Sequence, residues 1–364
     1  MKHWTIGLLT ALLFGAGGVS AQQPSFRADD PKIDYVGRVA FAEDGSASFD
    51  WSGTTVRFRF SGNACAAHMS DTKKSYYLVS VDGRPYGETV VWGCDSLVLL
   101  ADGLQPGPHT LSLFKRTEAG EGLTTLHSIE FPSGGGLLPW FGSSERRIEF
   151  IGNSITCGFG SETADPGAEY RAETENAYHS YASIVARFFG ADYTLIAHSG
   201  QGVVRNYGDT ATESDYTMIQ RFGKTFDSRE TPDWDFSRWQ PDVVVIGLGT
   251  NDFSVGTPPS RETFIAGYRR LVAAVRKAYG DIPILCLSSP LANDDLLHDC
   301  VREAVRTSGD ARLYFVPILP SILDFRSDVG AWHPNYSGHR KIAMALIPYL
   351  SSATGWPCLS EEVR

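Results

Sequence analysis

The chain has 364 residues, 42% hydrophobic and 20% charged, which suffices for two packed cores and excludes wholesale disorder. Its formal charge is −10 and no basic stripe is present, which argues against nucleic acid and against an anionic membrane surface as partners. The Arg269-Arg270 pair falls on a helical pattern and reads as a solvated face.

Lys2 and His3 precede an apolar run from Trp4 to Ala16, and a small-residue stretch ends at Ala21. This is the pattern of a secretory signal peptide cut after Ala21, so a secreted or periplasmic protein is expected. No cysteine stands at the cleavage point, and no lipid anchor is expected. No later segment reaches the ~18 unbroken apolar residues of a membrane span.

From Tyr35 to Pro132 the pattern has period two: Val56, Phe58 and Phe60 alternate with Thr55, Arg57 and Arg59. "SYYLVSV" runs into the turn pair Asp82-Gly83, and "HTLSLFK" and "LTTLHSIEF" flank the turn "AGEG". An antiparallel β-sandwich is expected over residues 28–137, with "PSGGGLLP" (132–139) as the linker.

Beyond the linker the order becomes strand, loop, helix. "RRIEFIG", "YTLIAHS", "PDVVVIGLG", "PILCLSS" and "RLYFVPI" read as buried strands, giving an α/β domain with a parallel sheet over residues 145–355. Phe264, Tyr268, Leu271, Val272 and Val275 share one helical face, with Ser260 as N-cap and Gly280 as stop. A last helix is expected after Ser337, burying Ile342, Ala345, Leu346 and Tyr349. There is no internal repeat.

Six cysteines in an exported chain permit disulfides. Cys65 and Cys94, both in the first half, are the candidate pair; Cys157 reads as a buried packing residue. CxxC spacings, HExxH and clustered histidines are absent, so neither metal nor cofactor is expected.

Four residues fall at the carboxyl ends of four expected strands, where open parallel sheets bind ligands. They are Ser154 in "FIGNSITCGFG", Gly200 in "HSGQGVVRNYG", Asn251 in "GLGTND" and His333 in "GAWHPN". Each alone also suits an ordinary turn. Together they supply a nucleophile, a base and donors for an oxyanion.

"GNS…G…GTND…H" resembles the four blocks of the SGNH (GDSL-type) hydrolases. "WSGTTVRFRFSG", "FKRTEAGEG", "RRIEFIGNSITCGFG", "HSGQGVVRNYG" and "WQPDVVVIGLGTND" extend the likeness to carbohydrate esterase family two, from about Val36 to Tyr349. The resemblance implies a small all-β jelly roll before a flavodoxin-like SGNH hydrolase domain. It also implies a serine esterase removing O-acetyl groups from plant cell-wall polysaccharides such as acetylxylan and acetylglucomannan. Ser154 would be the nucleophile and His333 the base; the Ser154 N–H, the Gly200 N–H and the Asn251 side chain would form the oxyanion hole.

The sequence departs from the pattern twice. Asn153 replaces the aspartate of "GDS", and Gly330 and Ala331 stand where an aspartate commonly precedes the histidine. His333 is therefore expected to be oriented by a main-chain carbonyl, that of Gly330, with Asp328 as the nearest upstream acid. Trp332 is either a sugar-stacking face or a core residue. The alternatives are a lipase-like or broad-specificity SGNH esterase, and a carbohydrate-binding protein whose esterase site has decayed.

Overall fold

In the N-terminal half, alternation of inward apolar and outward polar residues builds ten antiparallel strands. They are β1 (Ser25–Arg27), β2 (Ile33–Val36), β3 (Ala40–Phe41), β4 (Ala47–Phe49), β5 (Thr55–Gly62), β6 (Cys65–Val81), β7 (Arg84–Ala101), β8 (Gly107–Lys115), β9 (Thr124–Glu130) and β10 (Gly136–Leu138). The computed structural model describes residues 25–292 and 295–358; the leader read at residues 1–21 lies outside them.

β6 decides the shape of this half. Its residues 66–71 pair with β9 and its residues 77–81 with β8, and the register shifts between Met69 and Lys74. One strand thus passes from one layer to the other, and bulges of this kind bend a strand sharply. Both layers close on a core that includes Phe49, Phe58, Phe60, Tyr77 and Phe131.

The segment read as a linker contains β10, whose Gly136–Leu138 pair with Ser61–Arg59 because Leu137 is buried in that core. The expected Cys65–Cys94 disulfide is not formed, and both thiols are free. Cys65 is buried opposite Ala101, whereas Cys94 is exposed further back along β7, beside the Asp71–Gly93 pair. The hairpin register therefore separates them beyond the ~4.4–6.8 Å Cα spacing that a disulfide needs.

The second half is a parallel sheet of β11 (Arg147–Gly152), β12 (Asp192–Ala197), β13 (Val243–Gly247), β14 (Ile284–Leu287) and β15 (Leu313–Val316), in the order β12-β11-β13-β14-β15. The helices are α1 (Ser154–Cys157), α2 (Tyr181–Phe188), α3 (Met218–Phe222), α4 (Arg261–Tyr279), α5 (Leu296–Arg306) and α6 (Tyr336–Thr354). Ile151, Ile196 and Ile246 pack with α3, α4 and α5, while Phe150, Leu195 and Val245 pack with α2 and α6. Apolar residues on both faces are what a fully covered parallel sheet requires.

α4 follows its pattern: Ser260 caps it by accepting from the Thr263 N–H, and all five expected residues are buried. α6 differs. It starts at Tyr336, capped by Asn335, and its buried stripe runs through His339, Ile342, Ala343, Leu346 and Leu350, leaving Tyr349 41% exposed. Ala343 and Leu350 meet the sheet where Ala345 and Tyr349 were expected. Among the described residues no helix is long and apolar enough to cross a membrane.

The halves share buried chemistry. Arg38 is enclosed by the rings of Trp51, Phe222, Trp234 and Phe236. Its guanidinium donates to the carbonyls of Phe222 and Lys224 at 2.6 and 2.7 Å and lies 3.5 Å from Glu149. Burial pushes the Glu149 carboxyl up, with Arg38 opposing. Asp50 accepts from the N–H groups of Asp227 and Ser228 at 3.0 and 2.8 Å.

Candidate active site

The strand order places β11 between β12 and β13, and open sheets of this type bind ligands where the connections diverge. β11 ends at Gly152 and α1 begins two residues later. Asn153 makes that turn possible: its side chain accepts from the Ile155 N–H at 3.1 Å, capping α1 and leaving Ser154 at the first helical position. An asparagine oxygen suffices for this cap, so the departure from aspartate leaves the turn intact.

Ser154 Oγ lies 2.8 Å from His333 Nε2, and His333 Nδ1 lies 2.9 Å from the carbonyl oxygen of Ala331. A carbonyl only accepts, so Nδ1 carries the hydrogen and Nε2 is free to accept from the Ser154 hydroxyl. Burial holds the His333 pKa below its ordinary value, against the opposing hydrogen bond to Ala331. The ring lies tilted against Phe159 with centroids 4.3 Å apart, and Phe159 stacks on Tyr170 at 4.3 Å.

The orienting carbonyl is that of Ala331, not Gly330. Val329–Gly330 pairs with His333–Pro334 in a short hairpin, which commits Gly330 to the main chain of His333. Ala331 and Trp332 form the two-residue turn, both left-handed at φ 49° and 62°. That turn points the Ala331 carbonyl back at the imidazole. It is anchored by the Ala331 and Trp332 N–H groups, which donate to Asp165 O and Pro166 O at 2.8 Å each.

Asp328 does not reach His333. Its carboxylate accepts from Ser337 Oγ at 2.8 Å and the Asp324 N–H at 2.7 Å, and it pairs with Lys341. Burial raises its pKa, but Lys341 and the two hydrogen bonds outweigh this and hold it below the usual range.

Gly200 and Asn251 border the same cleft as Ser154 and His333. Gly200 has φ +79°, a conformation that favours glycine. Among the described residues neither the Ser154 N–H nor the Gly200 N–H has a protein acceptor. Asn251 donates one amide hydrogen to Gln201 O at 2.7 Å, which leaves the other unspent. Asp252, fully buried, accepts from the N–H groups of Val203, Val204 and Arg205, tying the β12 and β13 loops together.

The cleft holds about 710 Å³. Trp332 is 63% exposed on its border, which removes the core reading of that residue, and Tyr207 is exposed there too. Sequence reasoning missed Phe159, Tyr170 and Tyr207. Phe159 lies in the stretch quoted for Ser154, five residues on, where one more helical turn would have pointed it away; the left-handed Gly158 ends α1 and returns it to the site.

The carbohydrate esterase 2 N-terminal family matches residues 35–140, and the GDSL-like lipase/acylhydrolase family matches residues 150–341. The chain is 35% identical over 336 residues to a cellulase/esterase of Acetivibrio thermocellus, covering 90% of this chain but only 40% of that protein. It is 26% identical over 333 residues to an acetylxylan esterase / glucomannan deacetylase of Cellvibrio japonicus, covering 90% of this chain and 91% of that one. A family two carbohydrate esterase from Clostridium thermocellum, solved in complex with cellohexaose, superposes with a TM-score of 0.83 at 34% identity, over 89% of this chain and 100% of that one. The chain belongs to carbohydrate esterase family two and is a carboxylic ester hydrolase.

Proposed function

We propose that this protein is exported and removes O-acetyl groups from plant cell-wall polysaccharide, acetylxylan or acetylglucomannan, through an acetyl-enzyme intermediate. The observation that carries the reading is the Ser154 Oγ–His333 Nε2 contact of 2.8 Å in a cleft bordered by Gly200 and Asn251. The name of the Cellvibrio relative supports the substrate class.

Ser154 Oγ attacks the acetyl carbonyl while His333 Nε2 takes its proton. The negative oxygen of the tetrahedral intermediate is met by the Ser154 N–H, the Gly200 N–H and the free amide hydrogen of Asn251. The ester C–O bond then breaks and His333 returns the proton to the sugar oxygen. Water, deprotonated by the same nitrogen, attacks the acetyl-serine; the acyl C–Oγ bond breaks, His333 returns the proton to Ser154 Oγ, and acetate leaves. Trp332 offers an exposed ring beside His333 for a sugar face.

A second reading, an esterase of longer acyl groups, is favoured by the apolar residues Phe253, Pro258, Leu291 and Leu297 in the lining of the cleft. A binding protein with a decayed site is disfavoured by the intact serine–histidine contact. The test is release of acetate from acetylated xylan and acetylated glucomannan by the wild type and by Ser154→Ala. Acetate from the wild type alone supports the proposal. Wild-type inactivity on both, with octanoyl esters cleaved, would move it to the second reading.

A further inference from the structure

The loop after β8 carries Glu118 out of the N-terminal sandwich and into the catalytic half. Glu118 is 6% exposed, and one carboxylate oxygen accepts from the Ser199 N–H at 2.8 Å. The same oxygen is 3.8 Å from Cys157 Sγ, which donates to it. Ser199 precedes Gly200, and Cys157 closes the one-turn helix that begins at Ser154. A single side chain from the other domain therefore grips both segments that carry the proposed oxyanion donors, the Ser154 and Gly200 N–H groups.

The grip is itself built. Glu118 N–H donates to Glu175 Oε1 at 3.2 Å, and Tyr170 Oη donates to Glu175 Oε2 at 2.6 Å. Lys115 Nζ, fully buried, donates to the carbonyls of Thr117 and Glu118 at 2.9 and 3.4 Å and so fixes the main chain at Glu118. On the far side of Gly200, its carbonyl accepts from the Tyr207 N–H at 2.8 Å. Gly200 is thus held before and after, once by its own domain and once by the sandwich.

We infer that Glu118 is a positioning residue for the oxyanion hole, so that the N-terminal sandwich is part of the catalytic apparatus. This rests on the proposed roles of Ser154 and Gly200. Without Glu118 the His198–Ser199 peptide loses its acceptor, Ser199 is free to turn, and the Gly200 N–H that follows it no longer stays aimed at the oxyanion. Binding of the sugar, which does not use this bond, is unaffected. Misplacing a donor costs less than deleting one, so the loss in kcat for Glu118→Ala is about 10- to 100-fold, against ~10²–10³ for outright removal of an oxyanion donor.

The experiment measures kcat and KM on 4-nitrophenyl acetate, cellohexaose binding, and inhibition by methylboronic acid, whose tetrahedral adduct with serine places an anionic oxygen in the hole. In Glu118→Ala, kcat falls by that factor, KM and cellohexaose affinity hold within about threefold, and the boronate Ki rises in step with the kcat loss. Glu118→Gln keeps the acceptor and recovers most of kcat. Should Glu118→Ala fail to fold, Glu118→Asp, with its oxygen withdrawn by one methylene, carries the same expectation. An unchanged kcat overturns the inference, as does a fall in kcat with no rise in boronate Ki, or an equal loss in Glu118→Gln. Ser154→Ala, run alongside, separates the outcomes: its retained activity would refute the serine reading itself.

Discussion

The imidazole of His333 is held by the carbonyl oxygen of Ala331, two residues earlier in the chain and 2.9 Å away. Chain geometry therefore does the orienting that a carboxylate does in a triad, and a left-handed pair, Ala331 and Trp332, is the local means. Neither residue is a glycine, so each bears roughly 1–2 kcal/mol of backbone strain. The anchoring bonds to Asp165 and Pro166 keep the turn in place.

That arrangement fixes what Asp328 does. In a serine protease, replacing the triad aspartate by asparagine costs about 10⁴ in kcat. Asp328 is engaged with Lys341, Ser337 and Asp324, so Asp328→Ala should lower thermal stability while kcat on an acetyl ester falls less than about tenfold. Steady-state kinetics beside a melting curve decides it; a loss of three decades in a folded variant would make Asp328 a triad member.

Asn251→Ala should lower kcat by about 10²–10³, with the larger end favoured because the bond to Gln201 that steadies the β12 loop goes as well. KM should change little, since the developing oxyanion exists only in the transition state. A loss under threefold would place Asn251 in a structural turn.

The strand pattern was legible because alternation and buried runs report directly on a two-faced sandwich and a covered parallel sheet. Ser154, Gly200 and Asn251 were legible for the same reason, each lying within four residues of the end of an apolar strand, whereas His333 stands 17 residues beyond β15, in a hairpin of its own. Linear patterns do not report register, and this is where the reading fails. Cys65 and Cys94 share a hairpin yet lie far apart along its register, and which of two consecutive carbonyls meets His333 depends on a turn only two residues long. Glu118 stood within the quoted "FKRTEAGEG", but its partner Ser199 is 81 positions away and no periodicity connects them.

Arg38 offers a test of the interface. It is 1% exposed and is the cation facing the buried Glu149. Arg38→Ala removes the charge and leaves Glu149 uncompensated, which for buried pairs costs about 3–5 kcal/mol. A large drop in melting temperature is expected, and the double variant Arg38→Met/Glu149→Leu should regain a good part of it. Equal stability of Arg38→Ala and wild type would show that the pair does not matter.

The direction of the His333 shift sets the acid limb of the pH profile. Only neutral imidazole can accept the Ser154 proton, and burial disfavours the charged form, so the pKa lies below the ordinary 6.5. As pH falls, the base form persists further than an unperturbed histidine would allow. The acid limb of kcat/KM, which reports the free enzyme, should therefore have its midpoint below 6.5. A carboxylate at Nδ1 would favour imidazolium and move the midpoint the other way. The readout is kcat/KM on a neutral acetyl ester, with circular dichroism at each pH to separate titration from unfolding. A midpoint at or above about 7 in a folded enzyme would mean that an acid, and not the Ala331 carbonyl, faces the ring.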